Sequence, residues 1–231
     1  MKSFAHDIDG LPVHASDGEI GTIKDVLFDP HNWTVRYLEV STGWIFGRDV
    51  LIPVGKVKSI KVPDGAVTFD LTKEQIKNSP RAERPIDRAY ESRLIGYYRL
   101  SAYWDWTGAP EVGVPPHPRP EEAPSTREPE GPQLLSGREI DGYELEAEDG
   151  TVGTVRDVLI DLDTWKVTSL MADLGGIFTH DATTVGIGPV AGIDRSNRIV
   201  HLSLPLDKVD DRRRTAGEKL PFVFPYVPPI A

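Results

Sequence analysis

Asp17-Gly18-Glu19-Ile20-Gly21-Thr22-Ile23-Lys24-Asp25-Val26-Leu27-Phe28-Asp29-Pro30-His31-Asn32-Trp33 is the stretch that decides the fold. It returns 132 positions later as Asp149-Gly150-Thr151-Val152-Gly153-Thr154-Val155-Arg156-Asp157-Val158-Leu159-Ile160-Asp161-Leu162-Asp163-Thr164-Trp165. Asp-Gly is a turn signal, and the apolar run after it reads as a strand. A second turn at Asp29–Asn32 precedes the β-rich stretch Trp33–Thr42, where Asp and Asn side chains bond nearby backbone. Copy two repeats this with Val152–Ile160, a turn at 161–164, and Trp165–Asp173.

The register holds over Asp9–Asp49 against Asp141–Asp181, including Asp9-Gly10, Leu38, Gly43, Ile45 and Phe46. Four residues are then inserted, and Pro53-Val54 meets Pro189-Val190. So many matches at one offset indicate an internal duplication. Further strands fit Val50–Pro53, Val57–Val62, Ala66–Leu71 and Ile199–Leu204. Short strands at this spacing, punctuated by Gly and Pro, predict a small antiparallel barrel or closed sandwich in each copy.

Between the copies, 108–133 holds eight prolines with Glu and Ser. It reads as an extended spacer, although Pro115-Pro116-His117-Pro118-Arg119-Pro120 also suits a polyproline ligand. The predicted domains are therefore 1–107, the linker 108–133, and 134–231. Ile86, Tyr90, Leu94 and Tyr97 share one helical face after the first copy, with Pro85 at the predicted start and Gly96 near the end. At the C-terminus, Leu220, Phe222, Phe224 and Tyr226 alternate as an edge strand would.

Composition narrows the function classes. Net charge is −10, divided as −1 over 1–107, −3 over 108–133 and −6 over 134–231. Nucleic-acid binders neutralise phosphates with a basic stripe. Here Arg212, Arg213 and Arg214 follow Asp210 and Asp211, so nucleic acid is not the expected partner. Cys is absent, which removes disulfides, Cys-ligated metals and thiolate nucleophiles. No signal peptide and no apolar stretch of ~20 residues is read. The expected location is cytoplasmic, with peripheral association at a membrane surface left open.

The six histidines make no H-x-x-H or H-x-x-x-H pair. Asp17, Asp25, Asp29 and Asp49 recur as Asp149, Asp157, Asp161 and Asp181. Asp161-x-Asp163 lacks the Gly and terminal Glu of a calcium loop, and turn bonding accounts for Asp at 17, 29, 149 and 161. A side chain present in both copies is one the fold needs. No nucleophile elbow and no phosphate loop occurs. Neither an enzyme nor a cofactor or metal is expected.

The pattern resembles the PRC-barrel family: a D-G-x-x-G turn with its apolar strand (Asp17–Phe28), a turn ending in an aromatic (Asp29–Trp33), a second strand, Gly-x-Ile-Phe, and a Pro-Val strand. The resemblance covers about 8–75 and 140–210. Pro85–Trp106 also resembles the aromatic extension of some stand-alone bacterial members. The family includes the cytoplasmic domain of the photosynthetic reaction-centre H subunit and the C-terminal domain of a ribosome-maturation factor. The resemblance implies an all-β fold of two small antiparallel six-stranded barrels, and action by contact with other macromolecules. It carries no catalytic motif, and the H subunit's membrane helix is missing here. The function expected is a non-enzymatic adaptor or assembly module whose partner is another protein, with a homo-oligomer as a further candidate. A ribosome- or RNA-associated factor and a small-molecule or metal-binding module are the rival readings.

Copy one alone carries Tyr90, Tyr97, Tyr98, Tyr103, Trp104 and Trp106. Part of this aromatic surface packs on its own barrel. Tyr98, Tyr103, Trp104 and Trp106, together with Trp44, whose counterpart is Gly176, are the candidate partner contacts. Ile45 and Phe46 recur as Ile177 and Phe178 and are expected in the core.

Overall fold

The computed structural model describes residues 1–43, 47–84, 86–100, 134–173, 182–206 and 208–209. The expectations for the loops at 44–46 and 176–178, the linker, the helix start at Pro85 and the C-terminal strand therefore lie outside the described residues.

The fold is predominantly β. The chain runs β1 (Lys2–Phe4), α1 (Ala5–Ile8), β2 (Pro12–Ala15), β3 (Gly18–Asp29), β4 (Thr34–Ser41), β5 (Asp49–Pro53), a single 3-10 turn, β6 (Val57–Ile60), β7 (Val67–Phe69), α2 (Lys73–Lys77) and α3 (Arg88–Tyr98). The later half follows with β8 (Leu135–Ser136), α4 (Gly137–Ile140), β9 (Glu144–Ala147), β10 (Gly150–Asp161), β11 (Lys166–Asp173), β12 (Ala182–Gly186), β13 (Val190–Asp194) and β14 (Ile199–Leu202). α4, β9, β10 and β11 carry the bounds of α1, β2, β3 and β4 shifted by the repeat offset.

In the first repeat the strands pair in the order β5-β4-β3-β2-β7-β6. In the second they pair β12-β11-β10-β9-β14-β13. Two features differ from a closed antiparallel barrel. β2 pairs β7 in parallel, and β14 pairs β9 in parallel. Both outer strands of each path stay unpaired with each other among the described residues, so the path is open. The parallel pairs arise because β7 and β14 return to the first hairpin of their repeat after a long excursion, the connection that parallel strands require.

Local chemistry sets the turns. Asp29 accepts from the His31 backbone N–H at 3.0 Å, and Asp161 accepts from that of Asp163 at 2.9 Å. Trp33 and Trp165 both take left-handed backbone, φ 56° and 54°. A bulky residue there is uncommon. At Trp33, the N–H donates to the Asp29 carbonyl at 2.8 Å and the buried ring stacks on Phe28 at 5.8 Å. Gly21 has a different reason: a Cβ built there would meet the Ser41 carbonyl oxygen at 1.8 Å.

The compact units do not follow the repeat boundaries. One unit comprises Met1–Glu139 with Val158–Thr168, and the other Ile140–Asp157 with Ser169–Ala231. Inside the first unit, β1 pairs antiparallel with β10, Phe4 opposite Leu159 and Ser3 opposite Ile160. β8 pairs antiparallel with β3, Ser136 opposite Leu27 and Leu135 opposite Phe28. The two pairings have the same register once the repeat offset is removed. Each repeat's leading strand thus lies on the other repeat's long strand. The hairpin ends also meet: the Val35 N–H donates to the Trp165 carbonyl and the Val167 N–H to the Trp33 carbonyl, both at 2.8 Å. The core of this unit is apolar and closed to water, built on Val13, Ile23, Val26, Leu27, Phe28, Leu38, Val40 and Ile52.

Candidate functional site

α3 starts where Asp87 caps it, its carboxylate accepting from the Tyr90 N–H at 2.7 Å. It ends after Tyr98 with Arg99 in left-handed backbone, φ 53°. The helix buries Tyr90, Glu91, Leu94, Ile95 and Tyr98. The predicted face is therefore rotated. Tyr97 is 36% exposed, whereas Tyr98 is 4% exposed and meets Tyr97 edge-on at 5.0 Å. Burial pushes the Tyr90 and Tyr98 phenols well above the usual tyrosine range. Tyr98 is thus part of the interior of its own unit and leaves the set of partner-contact candidates. The reason is helical geometry: 90, 91, 94, 95 and 98 form a wider stripe than 90, 94 and 97. Trp44, Tyr103, Trp104 and Trp106 lie outside the described residues.

The polar side of this packing was invisible in the pattern of apolar residues. Glu91 is fully buried, and the Tyr37 hydroxyl on β4 donates to it at 3.1 Å. Arg88 stands 3.7 Å from the same carboxylate. Next to it on β4, buried Glu39 accepts from Arg84 at 2.7 Å. Arg48 donates to the Ser79 carbonyl at 2.9 Å. Together these bonds fasten 79–98 to the β4 side of the sheet. The signal that points to them is a carboxylate at 91 flanked by apolar 90, 94 and 95.

The carboxylates shared by both repeats are all engaged where their bonds are seen. Asp17 accepts from the Lys73 N–H at the start of α2, and Asp149 from the Leu206 N–H, both at 2.8 Å. Asp49 takes Lys24 at 2.6 Å. α2 itself is announced by a Thr72/Gln75 capping box that the strand-centred reading passed over.

Asp25 binds the leading segment of the second repeat. The Ser136 hydroxyl donates to its Oδ2 at 2.5 Å, and the N–H groups of Val26 and Arg138 donate to Oδ1 at 2.7 and 3.3 Å. Burial raises its carboxyl above the ordinary aspartate value, against the lowering effect of these bonds. Arg138 forks onto both oxygens of Asp9 at 2.7 Å, and this hydrogen bonding raises the guanidinium's own pKa.

A shallow open cleft is lined by Glu19, Ile20, Gly21, Thr42, Lys73 and Lys77. It sets one carboxylate and two ammonium groups beside Ile20 and Thr42. Among the described residues, no cluster of three His, Asp or Glu side chains is placed to hold a metal ion. No described helix is long and apolar enough to cross a membrane.

Residues 1–76 match the PRC-barrel domain. That span ends within α2 and takes in β1 to β7, with Asp25, Asp29 and Asp49 on its strands and Asp17 in the turn between β2 and β3. The chain is also similar to an uncharacterized protein of Deinococcus radiodurans, with 37% identity over 89 residues. The similar stretch is 37% of this chain and 31% of that relative, so the chain spans about a third of the relative's length.

Proposed function

We propose that the chain is a non-enzymatic assembly module, two PRC-barrel-like repeats in tandem that bind another protein through outer surfaces. One observation carries this reading. The side chains that recur between the repeats, and that would be the natural acids and bases of a catalytic site, are engaged in bonds within the fold, to backbone N–H groups or to neighbouring side chains. Asp17 caps α2, Asp29 closes a hairpin, Asp25 pins the leading segment, and Asp49 takes Lys24. A carboxylate that accepts backbone N–H bonds serves the fold first. The PRC-barrel match over 1–76 supports the same reading, and so does the strand order repeated in both halves.

The residues assigned to the partner contact are Trp44, Tyr103, Trp104 and Trp106. The helix before the last three spends Tyr90, Leu94 and Tyr98 on its own unit. Rings of this type bury ~150–250 Å² each and keep a polar atom wet, which suits an interface. The test compares tagged full-length chain with its Tyr103→Ala, Trp104→Ala, Trp106→Ala variant as baits in the native cell. A defined protein retained by the first and depleted about tenfold with the second supports the reading. Identical recovered sets from both baits overturn it.

A further inference from the structure

Each repeat in this protein is completed by the other's leading segment. Leu135 and Ser136 complete the edge of β3, and Ser3 and Phe4 complete the edge of β10. No described leading strand returns to the long strand of its own repeat. The two receiving edges are close copies, Asp25-Val26-Leu27-Phe28 and Asp157-Val158-Leu159-Ile160. The receiving site on β3 is specific in its chemistry. It takes an extended segment with an apolar residue opposite Phe28, a hydroxyl on Asp25 and a guanidinium on Asp9.

We propose that this site also accepts Leu134–Arg138 from a second copy of the chain, giving a closed two-fold dimer by segment exchange. Two chains hold two first repeats and two second repeats. These can be matched within chains or across them with identical contacts, which is the condition for domain swapping. Only the tether separates the two outcomes. The 33 residues from 101 to 133 join the repeats, and a tether of this kind gives the chain's own segment an effective concentration on the order of millimolar. Exchange therefore grows with protein concentration, and refolding from a concentrated mixture traps it. The proposal uses residues other than the aromatic contacts above, and it stands if that reading fails.

The Asp9–Arg138 pair makes the exchange testable in full-length protein. In Asp9→Arg every pairing, within or across chains, sets a new guanidinium at position 9 against that of Arg138. In Arg138→Asp every pairing sets the Asp9 carboxylate against a new carboxylate at position 138. When the two variants are mixed, only a dimer of one with the other can bring opposite charges together at these positions. Label one variant with ¹⁵N, refold both together at high concentration, dilute, and weigh the species by native mass spectrometry. The expected result is a mixed dimer in about tenfold excess over either pure dimer, since the like-charge contacts are relieved only there. A mixture that stays monomeric, or dimers in the statistical 1:2:1 ratio, overturns the proposal. Should either variant fail to fold by circular dichroism, the wild-type chain decides. Refolded over increasing concentration up to about millimolar, the effective concentration of the chain's own segment, it must yield a growing dimer fraction, and its absence overturns the proposal.

Discussion

Truncating Phe4 to alanine tests the exchange of leading strands at a distance. Phe4 is 2% exposed, stacks on His6 at 5.6 Å and sits opposite Leu159 on β10. Removing a buried phenyl ring costs about 3–5 kcal/mol, the lost transfer energy plus the cavity left behind. For a chain of this size each kcal/mol lowers Tm by roughly 2–4 °C, so the expected drop is on the order of 6–20 °C. The more telling readout is where protection is lost. If Phe4 belonged to its own repeat, amides on β3 would exchange faster and those of Val158–Asp161 would not change. With Phe4 on β10, amides at 158–161 are expected to exchange about 100- to 4,000-fold faster, from the same energy at about 1.4 kcal/mol per factor of ten. Hydrogen exchange with mass spectrometry on the intact chain reads both regions in one experiment. Wild-type protection at 158–161, together with loss on β3, would refute the strand pairing. Leu135→Ala is the mirror test, with the loss expected at Leu27 and Phe28.

Three further outcomes follow from the bonds described. Tyr37→Phe with Glu91→Leu, taken as a double-mutant cycle in urea, should show a coupling of about 1.5–3 kcal/mol, the range for a hydrogen bond to a charged group; additive effects would remove Glu91 from the fastening of α3. Asp17→Ala and Asp149→Ala should each cost ~1 kcal/mol as lost caps on the N–H groups of Lys73 and Leu206, and unchanged urea midpoints would contradict the capping role. The third concerns pH. The Asp25 carboxyl is raised in the fold above its free value of 3.8, so between that value and the raised one the folded state holds more protons than the unfolded chain. Its contribution to stability therefore falls as pH rises through that window and is flat above it. Asp25→Asn should remove this part of the pH profile, measured by urea unfolding from about pH 4 to 7, a range that opens near the free aspartate value; a wild-type excess that instead rises with pH would reverse the assignment.

The repeat and its strands were legible because period-2 alternation and turn chemistry are local. Asp17-Gly18 and Asp29 to Trp33 mark their hairpins in the sequence, and β3, β4, β10 and β11 fall where these signals place them. The partner of each leading strand was not legible, and the reason is duplication itself. Lys2–Phe4 and Leu135–Ser136 are too short to show a period. The edges of β3 and β10 also offer the same Asp-Val-Leu run, so pattern alone cannot choose between them. The closed barrel expectation failed for a related reason. Alternation says which residues face inward, but says nothing of whether the first and last strands of a path meet, or whether a returning strand pairs parallel.

At α3 the sequence located the helix and misplaced its face by about a fifth of a turn, at 3.6 residues per turn. Apolar residues alone cannot fix that face, because Tyr97 and Tyr98 are equally good candidates and Glu91 is counted as a solvent position. What decides is the sheet beneath. Tyr37 sits on β4 with its hydroxyl able to donate, and a carboxylate one turn into the helix is the acceptor it meets. Once Glu91 is drawn inward, positions 94, 95 and 98 follow it by helical spacing, and Tyr97 turns outward to donate its hydroxyl to the Gln75 carbonyl at 2.7 Å. A buried polar pair therefore sets the rotation of this helix, and with it which of Tyr97 and Tyr98 is drawn into the interior.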